Sequence, residues 1–470
     1  MAWGSRSRIR SSRCTAAPSL QNRALWVVRG FELNGRSRPH PAAKIRYNES
    51  ISRKRPAGSF IEFIMASRPL KGSNLTTVRG INERLILHLL RVHQRLTKAE
   101  ATRITGLSAN AVSVLFRSLE SDGLLLRDEP IRGRIGQPSV PMRLNPDALH
   151  YVGMKIGRRS FDLVVVNFTG QVKAVISRQH AYPTPATTLQ FINEHLDAVV
   201  QEAGLARDDI SAFNIATPFE LWSWTSDFGA PREEMALWKS FDLAGEISRA
   251  VPWPVTISND GTAACRAELV FGPPVDVQDL AYFFIGSFIG GGIVLNGSVF
   301  PGRRGNAGGV GPLRIPDESG GDRLVDHASL VVLERLLAQR DTDLAQSIYT
   351  ETEHWEQFES ELTIWVNRAG RSLGHAIVSA LAILEFETVV IDGAFPPAVR
   401  QRLVSAIEQQ LDRLDLQGVN RPELRAGHFG ALARAIGAAA YQISTDYMID
   451  QNTLLRETPA KVPLASAPSP

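Results

Sequence analysis

With 470 residues and a hydrophobic content of 44%, the chain is long enough for two or three domains with substantial cores. No run of about 18 apolar residues occurs, the N-terminus is too Arg-rich and interrupted for a signal peptide, and Cys14 and Cys265 are too few for a Cys-rich zinc site, so a cytoplasmic protein without a membrane partner or a structural disulfide is expected. The net charge of +4 hides an asymmetry: residues 1–64 hold 13 Lys/Arg against 3 Asp/Glu (+10), residues 65–150 hold 13 against 7 (+6), and residues 151–470 carry the balance of −12, so a polyanion partner is expected for the front of the chain only.

Residues 1–64 are rich in Arg, Ser and Pro with little periodicity, and a disordered basic extension is expected over residues 1–73. Met65 opens a segment that looks like a natural start, so an over-extended gene start with Met65 the true one stands beside a translated but solvated tail. From Val78 the pattern turns helical: Ile81, Leu85, Ile86, Leu89 and Leu90 fall at three- and four-residue spacing. Thr97 and Glu100 make a capping box for a second, short helix ending near Thr105. Gly106-Leu-Ser then forms a tight turn, and Ser108 caps a third helix with Val112, Leu115, Phe116 and Leu119 inside.

Helix, short helix, turn and helix are the spacing of a helix-turn-helix. After Asp122-Gly123, strands at Leu124–Arg127 and Val140–Leu144 flank the loop Ile131–Pro138 and predict a winged version. A recognition helix must show short polar side chains to base edges, and Ser108, Ala109, Asn110, Ser113 and Arg117 occupy its start and outward face. Arg132, Arg134 and Gln137 in the wing are expected to hold the DNA backbone or enter a minor groove. Taken singly, each of these side chains is equally at home on a solvated polar face.

Residues 145–150 read as a short linker, and at Tyr151 a second domain begins with two strands around Gly157-Arg158-Arg159 and a turn at Thr169-Gly170. Leu189–Ala203 is a helix by periodicity and Ile210–Ile215 a buried strand. The loop after Thr217 carries Glu220, Trp222 and Trp224, with Trp238 further on. Tryptophans near a carboxylate suit a sugar site, since ring faces stack on pyranose C–H groups while Glu220 accepts hydroxyl protons. Packing between lobes is the plainer role for the same rings.

A strand from Trp253 to Ser258 delivers Asn259-Asp260-Gly261, a turn and N-cap, to a helix over Thr262–Phe271. An apolar run, Tyr282–Ile285, then meets Gly286, Gly290, Gly291 and Gly292, and a second, Ile293–Leu295, ends at Asn296-Gly297, predicting a glycine-tight β-hairpin whose backbone can approach a ligand closely. Asn306-Ala-Gly-Gly-Val-Gly-Pro lies just downstream. Helical patterns occupy Ala328–Ala338 and part of Trp355–Ile383, Thr388–Gly393 is a buried strand, Gly430–Ser444 an Ala-rich closing helix, and the Pro/Ala/Ser tail at 458–470 is expected to be disordered.

The order and spacing of Asn259-Asp260, the Gly-rich hairpin and the Asn306 segment resemble the ROK (repressor, open reading frame, kinase) family of sugar kinases and sugar-responsive repressors, over about residues 75–450. The run Gly133-Arg-Ile-Gly-Gln-Pro likewise resembles the wing of ROK repressors. The resemblance implies an α+β winged helix-turn-helix domain at 74–145 followed, at 151–450, by an α/β actin-like (ribonuclease H-like) two-lobed sugar-kinase-type domain, in which a weak duplication of the lobes would be hidden from the sequence. It also implies that Asn259 and Asp260 bind sugar hydroxyls, joined in this reading by Asn306, Glu220 and Trp222; in kinases the Asp is the general base.

The departures from the family pattern fall on the catalytic parts. Its first phosphate loop reads D-x-G-G-T, with the Asp helping to hold the nucleotide's metal, where this chain has Lys155-Ile-Gly-Arg-Arg. Its A-G-E-x-G-H segment has Gly309 at the Glu position and Pro312 at the His position, and its Cys-rich zinc loop is replaced by Pro316–Arg323, so no metal and no cofactor are expected. Its V-V-I-G-G loop has Asp392 in place of a glycine, which is expected to narrow the space for a nucleotide base.

A DNA-binding transcriptional regulator without enzymatic activity follows, binding a palindromic operator through the major groove as a homodimer or homotetramer and controlled by a sugar or sugar derivative. The alternatives are an ATP-dependent sugar kinase with an accessory DNA-binding arm, and a module that recruits other proteins and uses DNA only as an anchor.

Overall fold

The structure, a computed structural model, describes residues 75–130, 139–223, 229–273, 278–316, 321–351 and 353–449. The expectations for the basic extension, the wing loop and the C-terminal tail lie outside these residues.

Helix α1 (Leu75–His93) buries Leu85, Ile86, Leu89 and Leu90, the face that the periodicity predicts. Helix α2 (Lys98–Thr105) starts at the capping box: Thr97 Oγ1 accepts from the Glu100 N–H at 3.2 Å, and the Glu100 carboxylate accepts from the Thr97 N–H at 2.9 Å. Gly106, at φ 69°, ends it in the left-handed conformation that a β-carbon disfavours. Ser108 then caps α3 (Ala109–Ser121), which turns Val112, Leu115, Phe116 and Leu119 inward. Strands β1 (Leu125–Arg127) and β2 (Met142–Leu144) pair as an antiparallel ribbon, and a bridge from Leu96 to Met142 ties it to the α1–α2 connection.

Two five-stranded sheets make up the rest. The first contains β3 (His150–Ile156), β4 (Ser160–Asn167), β5 (Val172–Gln179), β6 (Ile210–Thr217) and β7 (Val255–Asn259) in the order β5-β4-β3-β6-β7. The second contains β8 (Leu280–Ile285), β9 (Ile289–Leu295), β10 (Ser298–Val299), β11 (Thr388–Gly393) and β12 (Glu423–Ala426) in the order β10-β9-β8-β11-β12. Each sheet is an antiparallel three-strand meander to whose first strand the last two add in parallel. The lobes therefore share one topology, a duplication with no visible counterpart in the sequence.

Helices α4 (Pro185–Glu202), α5 (Arg232–Ala236) and α6 (Leu243–Ala250) pack with the first sheet in one apolar cluster. Helices α8 (Val325–Ala328), α9 (Leu330–Ala338), α10 (Thr342–Ser347), α11 (Glu359–Leu381) and α12 (Pro397–Leu411) do so with the second. Two helices join the lobes: α7 (Asp260–Phe271), buried from Gly261 to Glu268, and α13 (Ala433–Asp446), which packs on α7 and on β3 and β6. Strand β5 was not legible as a strand because it is an edge strand whose residues, Lys173 and Arg178 among them, are mostly half-buried or exposed. The 145–150 segment is held down: Asn145 Nδ2 donates to the Gly123 carbonyl at 2.8 Å, and the Phe168 N–H donates to the Pro146 carbonyl at 3.0 Å. One apolar cluster runs from α1 and α3 through Tyr151, Val164 and Phe168 to Ile443 and Met448, so the helical unit and the body share a core.

The α7–α13 crossing depends on Gly437, where a β-carbon would collide with the Ala263 carbonyl. Gly437→Ala is expected to lower stability by about 1–3 kcal/mol through forced separation of the two helices. Gly80→Ala in α1, where nothing lies within 4 Å of the added methyl, is expected to raise it by about 0.4–1 kcal/mol. Urea melts of the two variants beside the parent chain check both signs.

Candidate functional site

Strand β7 ends at Asn259, whose Oδ1 accepts from the Thr262 N–H at 3.0 Å and so caps α7. The cap uses the acceptor and leaves the amide donors, one of which lies 3.5 Å from Asn306 Oδ1. Asp260 sits in the first turn of α7, where the exposed backbone N–H groups favour a carboxylate. Its Oδ1 accepts from the Gly261 N–H at 2.9 Å, and its Oδ2 lies 3.6 Å from the Arg434 guanidinium of α13.

These side chains face a cleft of about 320 Å³ between the lobes. Asn259, Asp260 and Glu220 line it on one side, Asn306, Gly309 and Pro312 on another, and Arg158 and Arg434 over the Phe288 and Phe284 rings complete it, with Gly290 and Gly291 also in its wall. Four of the five side chains expected to hold a sugar thus converge. Trp222 does not: it packs against the core of the first lobe and lines a separate hollow with Trp238, Phe241 and Ile257. Trp238 Nε1 donates to the Pro183 carbonyl at 2.9 Å, a packing role, and Trp224 lies outside the described residues. Glu220 adopts a positive φ of 48°, rare for a side chain of its size. Its carbonyl accepts from Ser223 N–H and Oγ at 2.7 Å each, fixing the turn that carries the carboxylate.

The hairpin glycines serve packing as much as ligand approach. A β-carbon on Gly261 would strike the backbone of Gly291, one on Gly291 the Tyr282 carbonyl, and one on Gly292 the side chain of Cys265. Cys265 itself is fully buried, and burial pushes its thiol up to about 12, so it is no nucleophile.

On the expected nucleotide side, Lys155 on β3 lies directly across the ladder from Asp162 on β4. Its ammonium donates to Ser160 Oγ at 2.6 Å and is ion-paired with Asp162. Burial pushes the Lys155 ammonium down, an effect the Asp162 carboxylate opposes; for Asp162, burial pushes up, but Lys155 outweighs it and leaves the carboxyl below its ordinary value. The sequence reading missed Asp162, although a hairpin centred on Gly157-Arg158-Arg159 puts it in register with Lys155. Arg158, Arg159, Arg178 and Arg434 surround the same hollow, and Asp162 is its one carboxylate among the described lining residues. The Asp392 side chain is fully buried, accepting from Tyr282 Oη at 2.8 Å and pairing with Arg400 at 3.0 Å.

On α3, Ser108, Ala109, Asn110 and Arg117 are exposed and Ser113 is half-buried, with Arg117 Nε donating to the Ser113 carbonyl at 3.3 Å. Arg132, Arg134 and Gln137 lie outside the described residues.

Two lobes of one topology around a cleft of polar side chains are the fold of an actin-like, sugar-kinase-type body. Residues 151–444 match the ROK family model, and the chain belongs to the ROK family. It is 21% identical over 385 residues to the xylose repressor of Bacillus subtilis (strain 168), covering 81% of this chain and 98% of that one. It is 29% identical over 221 residues to the bifunctional enzyme NanE/NanK of Brucella melitensis biotype 1, covering 47% and 40%. The crystal structure of a ROK family transcriptional regulator, a homologue of the E. coli MLC protein, superposes with a TM-score of 0.56 at 20% identity over 79% of this chain and 97% of that one, a likeness of fold. Similarity thus reaches both a repressor and an enzyme.

Because Lys155 and Asp162 are buried together, removing one strands the other. Lys155→Met is expected to cost about 3–5 kcal/mol, and the double variant Lys155→Met/Asp162→Leu far less. A double-mutant cycle by urea unfolding that includes Asp162→Leu measures the difference, and a double-variant loss equal to the sum of the two single losses would mean that the pair is not coupled.

Proposed function

We propose that the protein is a DNA-binding transcriptional regulator, a repressor of sugar transport or catabolism genes, whose kinase-like domain senses a sugar without phosphorylating it. The observation that carries this reading is Lys155: where kinases of the family hold a metal-binding Asp, this chain buries a cation paired to the one described carboxylate of the hollow. A Mg-nucleotide there would meet arginines where it needs oxygen ligands. Gly309 and Pro312 stand at the Glu and His positions in the cleft wall, while Asn259, Asp260, Asn306 and Glu220 keep donors and acceptors for hydroxyl groups. Such a cleft holds a sugar and lacks the parts to transfer phosphate.

Residues 74–145 form the winged helix-turn-helix of this reading and 151–450 the effector domain. Asn110 reads an adenine edge and Arg117 a guanine or phosphate, with Ser108, Ala109 and Ser113 close to the bases and Arg132, Arg134 and Gln137 on the backbone or in the minor groove. Two such units in a homodimer or homotetramer would span palindromic half-sites about 34 Å apart or a multiple of it. Sugar closing the lobes would change the angle between them. A coupling of about 1–3 kcal/mol changes operator affinity about 5- to 150-fold. The protein works in the cytoplasm, where operator and sugar meet.

One observation favours a sugar kinase with an accessory DNA-binding arm: Asp260, the general base of the family's kinases, still faces the cleft. The two readings separate in one experiment. Genomic DNA selected on the purified protein should yield a palindromic site next to sugar-utilisation genes, released by one member of a sugar panel. Arg117→Ala should weaken binding to that site by about 1–3 kcal/mol, and Asp260→Asn should leave operator binding intact but abolish release by the sugar. Turnover of ATP with a sugar and no selected site would establish the kinase.

A further inference from the structure

Helix α3 turns one stripe of side chains to solvent. Asn110, Val114 and Arg117 follow one another at four- and three-residue spacing and are all exposed, while Val112, Leu115, Phe116 and Leu119 take the opposite face into the core. Ser113, one residue to the side, is half-buried. Val114 therefore stands between the two side chains assigned to base edges, nearer the middle of the outward face than Ser113.

Neither the core nor helix propensity explains a valine at this position. Among the described residues between Gly80 and Leu144, Val114 is the one large hydrophobic side chain left exposed, at 45%. A β-branched residue is a poorer helix former than alanine, and at this exposure its two methyl groups gain little from packing. An apolar group held on the outward face favours an apolar partner.

The major groove of DNA offers one such group. Thymine shows a C5-methyl there, whereas cytosine shows an amino donor and the purines show only polar atoms. We propose that Val114 packs against a thymine methyl and so specifies thymine at one position of each half-site. The inference rests on the DNA-binding reading of α3 and adds to it a residue that fixes sequence. At a rise of about 1.5 Å per residue, Val114 lies about 6 Å along the helix from Asn110 and about 4.5 Å from Arg117. With base pairs about 3.4 Å apart, the thymine stands within about two steps of the adenine read by Asn110. Cytosine at that position is disfavoured, because its amino group would lose water against the valine methyls and gain no acceptor.

The test uses the full chain and the palindromic site selected from genomic DNA. Each thymine is replaced in turn, symmetrically in both half-sites, by uracil, which removes the methyl and leaves every hydrogen-bonding atom of the base in place. At one position the exchange should weaken binding by the parent chain about 4-fold per half-site, the loss expected for one buried methyl group. Val114→Ala should bind the thymine and uracil sites within about 2-fold of each other. The readout is a ratio between two DNAs, so a variant that binds all DNA more weakly still reports it, and the uracil series on the parent chain needs no variant to fold. A half-site without thymine, undiminished binding at every uracil position, or a thymine–uracil ratio that persists in Val114→Ala overturns the role of Val114 and leaves DNA binding by α3 standing. Failure to select any site removes the DNA-binding reading itself, and this inference with it.

Discussion

The close approach of α7 to the Gly-rich hairpin is the constraint on which the rest of the structure depends. Gly261 and Gly291 leave no room between them for a β-carbon, Gly292 is packed against Cys265, and Gly437 brings α13 equally free of a β-carbon onto the Ala263 carbonyl of α7. Small residues at these contacts let one helix serve both lobes. The N-terminus of α7 therefore stands in the cleft, with the capping Asn259 and the following Asp260 set by a helix that cannot slide. Asn259 and Asp260 are positioned by backbone contact, and glycines that look like a ligand loop are first of all a packing surface.

Charge divides the interlobe region into two unlike halves. The cleft around Asn259 and Asp260 mixes donors and acceptors, with one carboxylate balanced by Arg434. The neighbouring hollow is cationic, and its single described carboxylate is committed to Lys155.

The helical unit is not a tethered appendage. Its core is continuous with the first sheet and α13, and Arg91 reaches two backbone carbonyls of the body. Helices α1 and α13 therefore share one packed core.

Much of the fold was legible in the sequence, because caps, turns and helical periodicity are short-range codes. Thr97 and Glu100, Gly106, Ser108 and the Asn296-Gly297 turn each declare their conformation within four residues, and the replacements at Lys155, Gly309 and Pro312 can be read from the motif positions themselves. What faces what is a different matter, since it depends on strand register and on how two lobes and a helical unit close on one another. Only the tertiary structure paired Lys155 with Asp162, turned Trp222 away from the cleft, buried Asp392 against Tyr282 and Arg400, and revealed β5 as an edge strand. A single chain's pattern fixes which face of an element is apolar; the partner across that face is chosen by long-range packing, in which every distant residue has a share.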